Sequence, residues 1–164
     1  MDYFLLAAER NGWLGTESVS VLSEKGELWI EEGLENFDLD RVHGWLSEQA
    51  YWSPGVSKVT VEKAFKNSLC FSAFHGSKGQ VGVARVITDG ATFSYLADVF
   101  VDNSVRGQGV GKMLMDAVVA HPELQGLRRQ MLATHDAHKL YEKYGYSELE
   151  RPEILMEKMP KDTG

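Results

Sequence analysis

The sequence predicts one α/β domain (α+β in some schemes), and two patterns support this prediction. Three strand-like segments follow one another through tight turns, which predicts an antiparallel meander. A glycine-rich segment then leads from a long apolar strand into an amphipathic helix, and a further strand and helix follow. The chain has 164 residues, 43% of them hydrophobic, and shows no internal repeat, so one core of ordinary size is expected.

The first part of the chain is predicted as an extension followed by a strand and two helices. Residues 1–26 form the extension, with a short helix over Tyr3–Arg10, a short strand over Ser18–Leu22 and no assigned role. A strand over Glu27–Glu31 begins the domain, which is expected to span residues 27–160. Asp38 or Asp40 can cap a helix that runs to about Ser47, and Pro54-Gly55 separates it from a second helix over Val59–Asn67.

The remaining elements follow from the periodicity of the apolar residues. The meander comprises Leu69–Phe74, Gln80–Thr88 and Thr92–Val101, joined by turns at Gly76–Gly79 and Asp89-Gly90. The helix after the glycine-rich segment has one apolar face, made of Val110, Met113, Leu114, Ala117 and Val118. A strand over Arg129–Thr134, a helix ended by Gly145 and a last strand over Ile154–Met159 complete the prediction.

Composition excludes several classes of function. The formal net charge of -7 and the pI of about 5.2 argue against a nucleic-acid-binding protein, which needs clustered Lys and Arg. Cys70 is the only cysteine, so no disulfide forms within the chain and a reducing compartment is favoured. No run approaches the ~20 apolar residues that span a bilayer. A cytoplasmic location without membrane association is therefore expected.

The segment from Leu96 to Gly111 is the most informative for chemistry. Here an apolar strand runs into a glycine-rich turn that begins an amphipathic helix, and such a helix N-terminus favours phosphate. The glycines stand at 107, 109 and 111, which matches neither the G-x-G-x-x-G dinucleotide fingerprint nor a Walker A loop. By spacing alone, the segment is either a phosphate-binding turn or a turn with no ligand.

Three motifs at consistent separations resemble the GNAT N-acetyltransferase superfamily. Arg106-Gly107-Gln108-Gly109-Val110-Gly111 is similar to its [RQ]-x-x-G-x-[GA] signature, and Val99-x-Val101 stands where the family has its L-x-V strand. Leu140 to Tyr146 resembles its L-Y-x-x-x-G-[FY] ending. The resemblance covers about Glu27 to Met159. One departure is Thr134, because many members have Asn seven residues before the helix tyrosine.

The resemblance implies both a fold and a cofactor. The fold is a mixed, mostly antiparallel sheet with helices on both faces, splayed between the fourth and fifth predicted strands. Acetyl-CoA is the implied cosubstrate, with no metal: its pantetheine arm would lie in the split, and its pyrophosphate on the glycine-rich turn. The implied cofactor-binding residues are Val99, Phe100, Val101, Arg106, Gly107, Gln108, Gly109, Val110, Gly111, Lys112 and Thr134.

The resemblance also implies catalytic and acceptor-binding residues. Tyr141 matches the family's general acid, although its spacing alone favours a core aromatic residue. Asp98 matches an aspartate that contacts the acceptor amine in polyamine acetyltransferases, and Ala97 replaces their glutamate. The base is therefore Asp98, a water molecule or no side chain, and Asp98 is alternatively a hydrogen-bonded structural carboxylate. Tyr51 and Trp52 are expected to line the acceptor pocket or to anchor the core.

Three functions remain open at this point. The chain is expected to be an acyltransferase that acetylates a primary amine of a small molecule by direct attack in a ternary complex. The alternatives are a protein lysine or N-terminal acetyltransferase, and an acyl-CoA sensor without catalysis. His135 and His138 have a spacing that could bind a metal, but the sequence offers no third ligand nearby. The resemblance further implies a homodimer, because homodimers are frequent in this superfamily.

Overall fold

The sheet is mixed and mostly antiparallel, as the sequence predicts. The computed structural model describes residues 20–160, so the predicted helix over Tyr3–Arg10 and the start of the predicted strand at Ser18 lie outside it. Within this range six strands form one sheet in chain order: β1 (Ser20–Lys25), β2 (Leu28–Glu32), β3 (Leu69–His75), β4 (Gly79–Thr88), β5 (Phe93–Val101) and β6 (Arg129–Leu132). All neighbouring strands are antiparallel except β5 and β6, which are parallel. The sheet begins at Ser20, before Glu27, and the domain boundary at Glu27 stays a prediction.

The helices begin where the sequence supplies capping side chains. Asp38 caps helix α1 (Leu39–Gly44), since its carboxylate accepts the Arg41 N–H at 3.0 Å. Helix α1 continues as a π-helical turn over Trp45–Gln49. Ser57 caps helix α2 (Lys58–Lys66) in the same way. Two further α-helices lie within residues 20–160, α3 (Val110–Ala120) and α4 (His138–Glu142).

Helices cover both faces of the sheet, and the two-residue period of the strands assigns each side chain to a face. On one face, Val83 and Phe100 belong to a buried cluster with residues of α1, the π-helical turn and α2. On the other face, a Cβ on Gly82 would lie 3.3 Å from both Val110 and Leu114 of α3. The prediction of helices on both faces is therefore confirmed.

The sheet opens between β5 and β6. These two strands pair only from Phe93↔Arg129 to Leu96↔Leu132, where β6 ends, whereas β5 continues to Val101. Residues 97–101 of β5 therefore have no β6 partner. We call the space beside them the wedge; it is the split that the resemblance implies.

The predicted last strand, Ile154–Met159, is wrong. By their contacts, residues up to Ala133 form one compact unit and those from Thr134 form a second. In the second unit a 3-10 turn covers Pro152–Ile154, and residues 155–160 have no regular secondary structure. Met156 and Met159 are 97% and 70% exposed. Apolar residues alone do not make a strand, because a strand needs a neighbour that pairs with its backbone groups.

Candidate active site

A β-bulge in β5 lies at the wedge. Val83 of β4 pairs with Phe100, and Arg85 pairs with Ala97. Ala84 alone therefore lies opposite both Asp98 and Val99. Asp98 has a φ of +51°, and it is the one non-glycine residue with positive φ between residues 20 and 160. Positive φ is uncommon for residues with a side chain and is tolerated best by Asn and Asp. Such backbone strain is concentrated at functional sites.

The direction of the β5 amides follows from one hydrogen bond. The N–H of Asp102 donates to the carbonyl of Val81 at 2.8 Å and so points towards β4. Successive N–H groups of an extended strand point to opposite sides, so the N–H of Val101 points away from β4. The Val101 amide is thereby directed to the side of the wedge.

The Asp98 carboxylate has partners on both oxygens. Its Oδ2 lies 2.7 Å from Nε of Arg85, and the two side chains are only 13% and 14% exposed. Its Oδ1 accepts the indole N–H of Trp52 at 3.0 Å. The structure therefore brings together two of the residues singled out in the sequence, Asp98 and Trp52, and adds Arg85 between β4 and β5.

The aromatic pair that was expected to line the acceptor pocket is exposed. Tyr51 and Trp52 are 50% and 42% exposed, and their rings meet edge to face with centroids 5.0 Å apart. Ala50, directly before them, is buried in the cluster beneath α1 and α2. The pair therefore presents aromatic surface to solvent beside the Asp98 bulge.

The glycine-rich turn is open, and several of its N–H groups donate to no acceptor among the described residues. Gly107 and Gly109 have φ of +79° and +87°, a conformation that favours glycine. A Cβ on Gly107 would meet no atom within 4 Å. Within residues 20–160, the N–H groups of Gly107, Gly109, Val110 and Gly111 have no hydrogen-bond acceptor. A turn of this kind before an eleven-residue helix fits the pyrophosphate of a nucleotide carrier.

Cationic side chains surround this turn despite the acidic composition. Lys25 of β1 places its Nζ 4.0 Å from the position of a Cβ on Gly109. Lys78 donates to the carbonyl of Ser104 at 3.0 Å, and Lys112 forms an ion pair with Asp116. Arg106 donates to the carbonyl of Val101, and its guanidinium lies 6.0 Å from the centre of the Phe100 ring. The local charge therefore favours an anion.

The side chain of Phe100 is part of the core. It is 6% exposed and stacks on Trp45 with ring centroids 5.3 Å apart. Its side chain therefore faces the α1 and α2 side of the sheet. Only its backbone remains for the cofactor contact that was expected from the sequence.

Asp102 connects the end of β5 to the glycine-rich turn. Its carboxylate accepts the Ser104 N–H at 2.8 Å and the Trp45 indole N–H at 3.1 Å. Hydrogen bonding from Ser104 holds the pKa of Asp102 below its ordinary value of 3.8, with a smaller contribution from Trp45. The carboxylate form therefore stabilises the folded turn.

Tyr141 and Thr134 belong to the second compact unit. Tyr141 lies in α4 and is 9% exposed, and its ring meets Tyr146 edge to face with centroids 6.1 Å apart. Burial raises the pKa of Tyr146 above its ordinary value of 10.0. The Thr134 hydroxyl oxygen accepts the Ala137 N–H at 3.1 Å, directly before α4. Gly145, with φ of +85°, follows the last turn of this segment as the sequence indicates.

Sequence reasoning missed Arg85 and Lys25. Arg85 is the only charged residue within β4, where its neighbours Ala84 and Val86 are buried. A charge among buried apolar residues requires a partner, so this pattern could have indicated the pair with Asp98. No comparable signal exists for Lys25, because Gly109 lies 84 positions further along the chain. Among residues 20–160, no three His, Cys, Asp or Glu side chains are grouped to hold a metal ion, and no helix is long and apolar enough to cross a bilayer.

Comparisons with known proteins agree with this geometry. Residues 66–148 match the model of the acetyltransferase (GNAT) domain. A Xanthomonas campestris pv. campestris crystal structure, described as a "putative acetyltransferase belonging to the gnat family", is 44% identical with a TM-score of 0.80. That match covers 84% of this chain and 96% of the other.

Two further relatives are more distant. A Trypanosoma brucei acetyltransferase structure is 26% identical with a TM-score of 0.54, over 81% of this chain and 99% of the other. A Gibberella zeae protein, described as a "putative acetyltransferase", is 27% identical over 73% of this chain and 78% of its own length. With a family model that matches half of the sequence and a 44% identical relative, the chain belongs to the GNAT acetyltransferase family.

Proposed function

We propose that this protein is an acetyl-CoA-dependent N-acetyltransferase that acetylates a primary amine of a small molecule. The observation that supports this best is the wedge beside the β5 bulge, with an open glycine-rich turn at the end of the same strand. A pantetheine arm is an extended chain with amide groups, so it can pair with strand amides that lack a neighbouring strand.

Residues of the first compact unit would contact different parts of acetyl-CoA. Val101 N–H would pair with the pantetheine arm, and the N–H of Val99 would face the carbonyl oxygen of the thioester. The amides of residues 107–111 would bind the pyrophosphate, with Arg106 and Lys112 adding positive charge. By the family resemblance alone, Thr134 of the second compact unit is expected to make the contact that asparagine makes in many relatives.

Acetyl-CoA supplies an acetyl group activated as a thioester. The neutral amine attacks the carbonyl carbon, the new C–N bond forms, and the C–S bond breaks with release of the thiol. The Val99 N–H stabilises the negative charge that develops on the carbonyl oxygen, a contribution of about 2.7–4 kcal/mol at comparable sites. By the family resemblance alone, Tyr141 would give its phenol proton to the departing sulfur and regain a proton from water, which takes up the proton that the amine loses.

Exposed aromatic side chains favour a small acceptor. Tyr51 and Trp52 present two partly exposed rings in edge-to-face contact, and Trp52 is hydrogen-bonded to Asp98 of the bulge. Rings of this kind can enclose the body of a small amine while its nitrogen approaches the thioester. The protein is expected to act in the cytoplasm, and a pair of copies is expected to be its assembly.

Calorimetry and thiol release together test this function. Titration with acetyl-CoA and with CoA should give heat of binding, whereas pantetheine alone should bind at least about tenfold more weakly because it lacks the phosphates. Thiol release should then depend on a free amine from a panel of small amines, amino acids and peptides. Absence of binding would end the proposal. Turnover confined to peptides would indicate a protein acceptor, and binding without turnover on any acceptor would indicate a sensor.

A further inference from the structure

Both carboxylate oxygens of Asp98 have protein partners. Its Oδ2 is in an ion pair with Arg85 at 2.7 Å, and its Oδ1 accepts from Trp52 at 3.0 Å. These partners lie on β4 and on the loop before α2, so the carboxylate links two separate parts of the fold.

Arg85 is itself held from several sides. Its Nη1 donates to the Ser68 hydroxyl at 3.2 Å, and its guanidinium lies 5.7 Å from the centre of the Phe65 ring. Ser68 in turn donates to the carbonyl of Ala64 at the end of α2. Arg85 therefore connects the end of α2 to the bulge, and it has two contacts besides Asp98.

Asp98 joins three parts of the proposed site. Its backbone makes the bulge next to Val99, its carboxylate is attached to Arg85 on β4, and the same carboxylate holds the loop that carries Trp52. The left-handed conformation of Asp98 costs free energy, and these two side-chain interactions offset it. A shift of Arg85 or Trp52 would therefore move both the Val99 amide and the loop that carries Trp52.

We propose that Arg85 is a positioning residue for acetyl transfer, which acts through Asp98 to fix the Val99 amide and the Trp52 loop. Asp98 is then a structural link and not the base. The inference rests on the proposed function, because the Val99 amide is taken as the donor to the carbonyl oxygen.

Three variants separate positioning from base catalysis. W52F removes the indole N–H that Asp98 accepts, together with one of the two fused rings, and keeps an aromatic side chain. It should raise the acceptor KM about 3- to 10-fold, as for one lost hydrogen bond, with CoA affinity unchanged. D98N leaves Arg85 without its counter-ion and should lower kcat by about 10²-fold, as for a displaced oxyanion donor. R85Q/D98N restores a neutral, hydrogen-bonding pair and should recover at least about tenfold of that loss.

The pH profile gives the clearest distinction. If Asp98 only positions other groups, D98N lowers the rate at every pH, and the shape of the profile of kcat/KM is that of the wild type. If Asp98 is the base, D98N removes the acidic limb of that profile, and R85Q/D98N is no more active than D98N. Either of these last results would overturn the inference, as would an unchanged acceptor KM in W52F.

A matched control and a second readout keep the test independent of activity. W29F removes another indole N–H, which donates to Glu31 at 2.7 Å away from the site, and should leave every parameter unchanged. The amide resonance of Val99 in NMR spectra should shift in D98N, return towards its wild-type position in R85Q/D98N and stay fixed in W29F. If the wild type fails to turn over any amine, the proposed function fails, while this resonance still decides whether Arg85 and Asp98 fix the bulge. An unchanged Val99 amide resonance in D98N would contradict the inference.

Discussion

Arg85 and Asp98 form an ion pair that crosses from β4 to the bulge of β5, with 2.7 Å between Nε and Oδ2. Both side chains are at least 86% buried, so neither charge is well solvated without the other. This pair ties the conformation of the bulge to the rest of the sheet.

The first prediction concerns the energy of this pair. Arg85→Met and Asp98→Ala should each destabilise the fold by about 3–5 kcal/mol, because each leaves a buried charge without its partner. The double variant should be less destabilised than the sum, with a coupling energy of about 1–3 kcal/mol. Urea unfolding of the four proteins measures this. Additive losses would show that the two side chains do not interact in solution.

The second prediction concerns the glycine-rich turn. Gly109→Val places a branched side chain at φ of +87° beside the unused amides, so acetyl-CoA affinity should fall at least about 10²-fold. Gly126→Val is the matched control, since Gly126 also has positive φ, 68°, with no atom near its Cβ position. The Gly126→Val variant has the same kind of backbone strain in a different loop and should bind acetyl-CoA with wild-type affinity. Calorimetry measures the affinity of each variant for acetyl-CoA. An equal loss of affinity in both variants would contradict a specific role for Gly109.

The third prediction concerns Tyr141. Tyr141→Phe removes the proposed acid and should lower kcat by about 10²-fold or more, while acetyl-CoA affinity stays within about twofold. Tyr146→Phe removes the hydroxyl of the ring packed against it and should leave turnover nearly unchanged. Steady-state thiol release and calorimetry on the two variants provide the comparison. If both variants have the same kcat, Tyr141 contributes through packing and not as an acid.

The fourth prediction concerns pH. The pKa of Asp102 is lowered in the folded protein, so its stabilisation is present above the ordinary value of 3.8 and is lost as pH falls through the lower folded value. Asp102→Asn should therefore cost about 1 kcal/mol at neutral pH, as for a weakened hydrogen bond, and nearly nothing at the acid end. Urea midpoints across acidic pH test this. A constant difference would mean that the charge of Asp102 is not involved.

The fifth prediction concerns the packing of α3 on the sheet. A Cβ on Gly82 would lie 3.1 Å from the Phe100 carbonyl oxygen and 3.3 Å from two side chains of α3. Gly82→Ala should therefore destabilise the fold by about 1–3 kcal/mol, the range for overpacked cores. Gly76→Ala meets nothing closer than 3.7 Å and should change stability by at most about 0.5 kcal/mol. A neutral Gly82→Ala variant would indicate that α3 moves away without cost.

Most strands and helices could be predicted because their signals are local. Asp38 and Ser57 cap the helices that follow them, and glycine turns separate the strands of the meander. The glycine-rich turn was recognisable for the same reason, since its conformation depends on residues adjacent in the chain. The last strand was predicted wrongly, because the apolar residues from Ile154 to Met159 satisfy a strand pattern without a partner strand.

The family, the sheet with its meander and the residues of the glycine-rich turn could all be identified from the amino-acid sequence. The pairing of Asp98 with Arg85 and Trp52, which are separated from it by 13 and 46 positions, became visible only in the folded protein. A bulge and an ion pair between strands depend on register, and register is set by the packing of whole strands between two layers of helices.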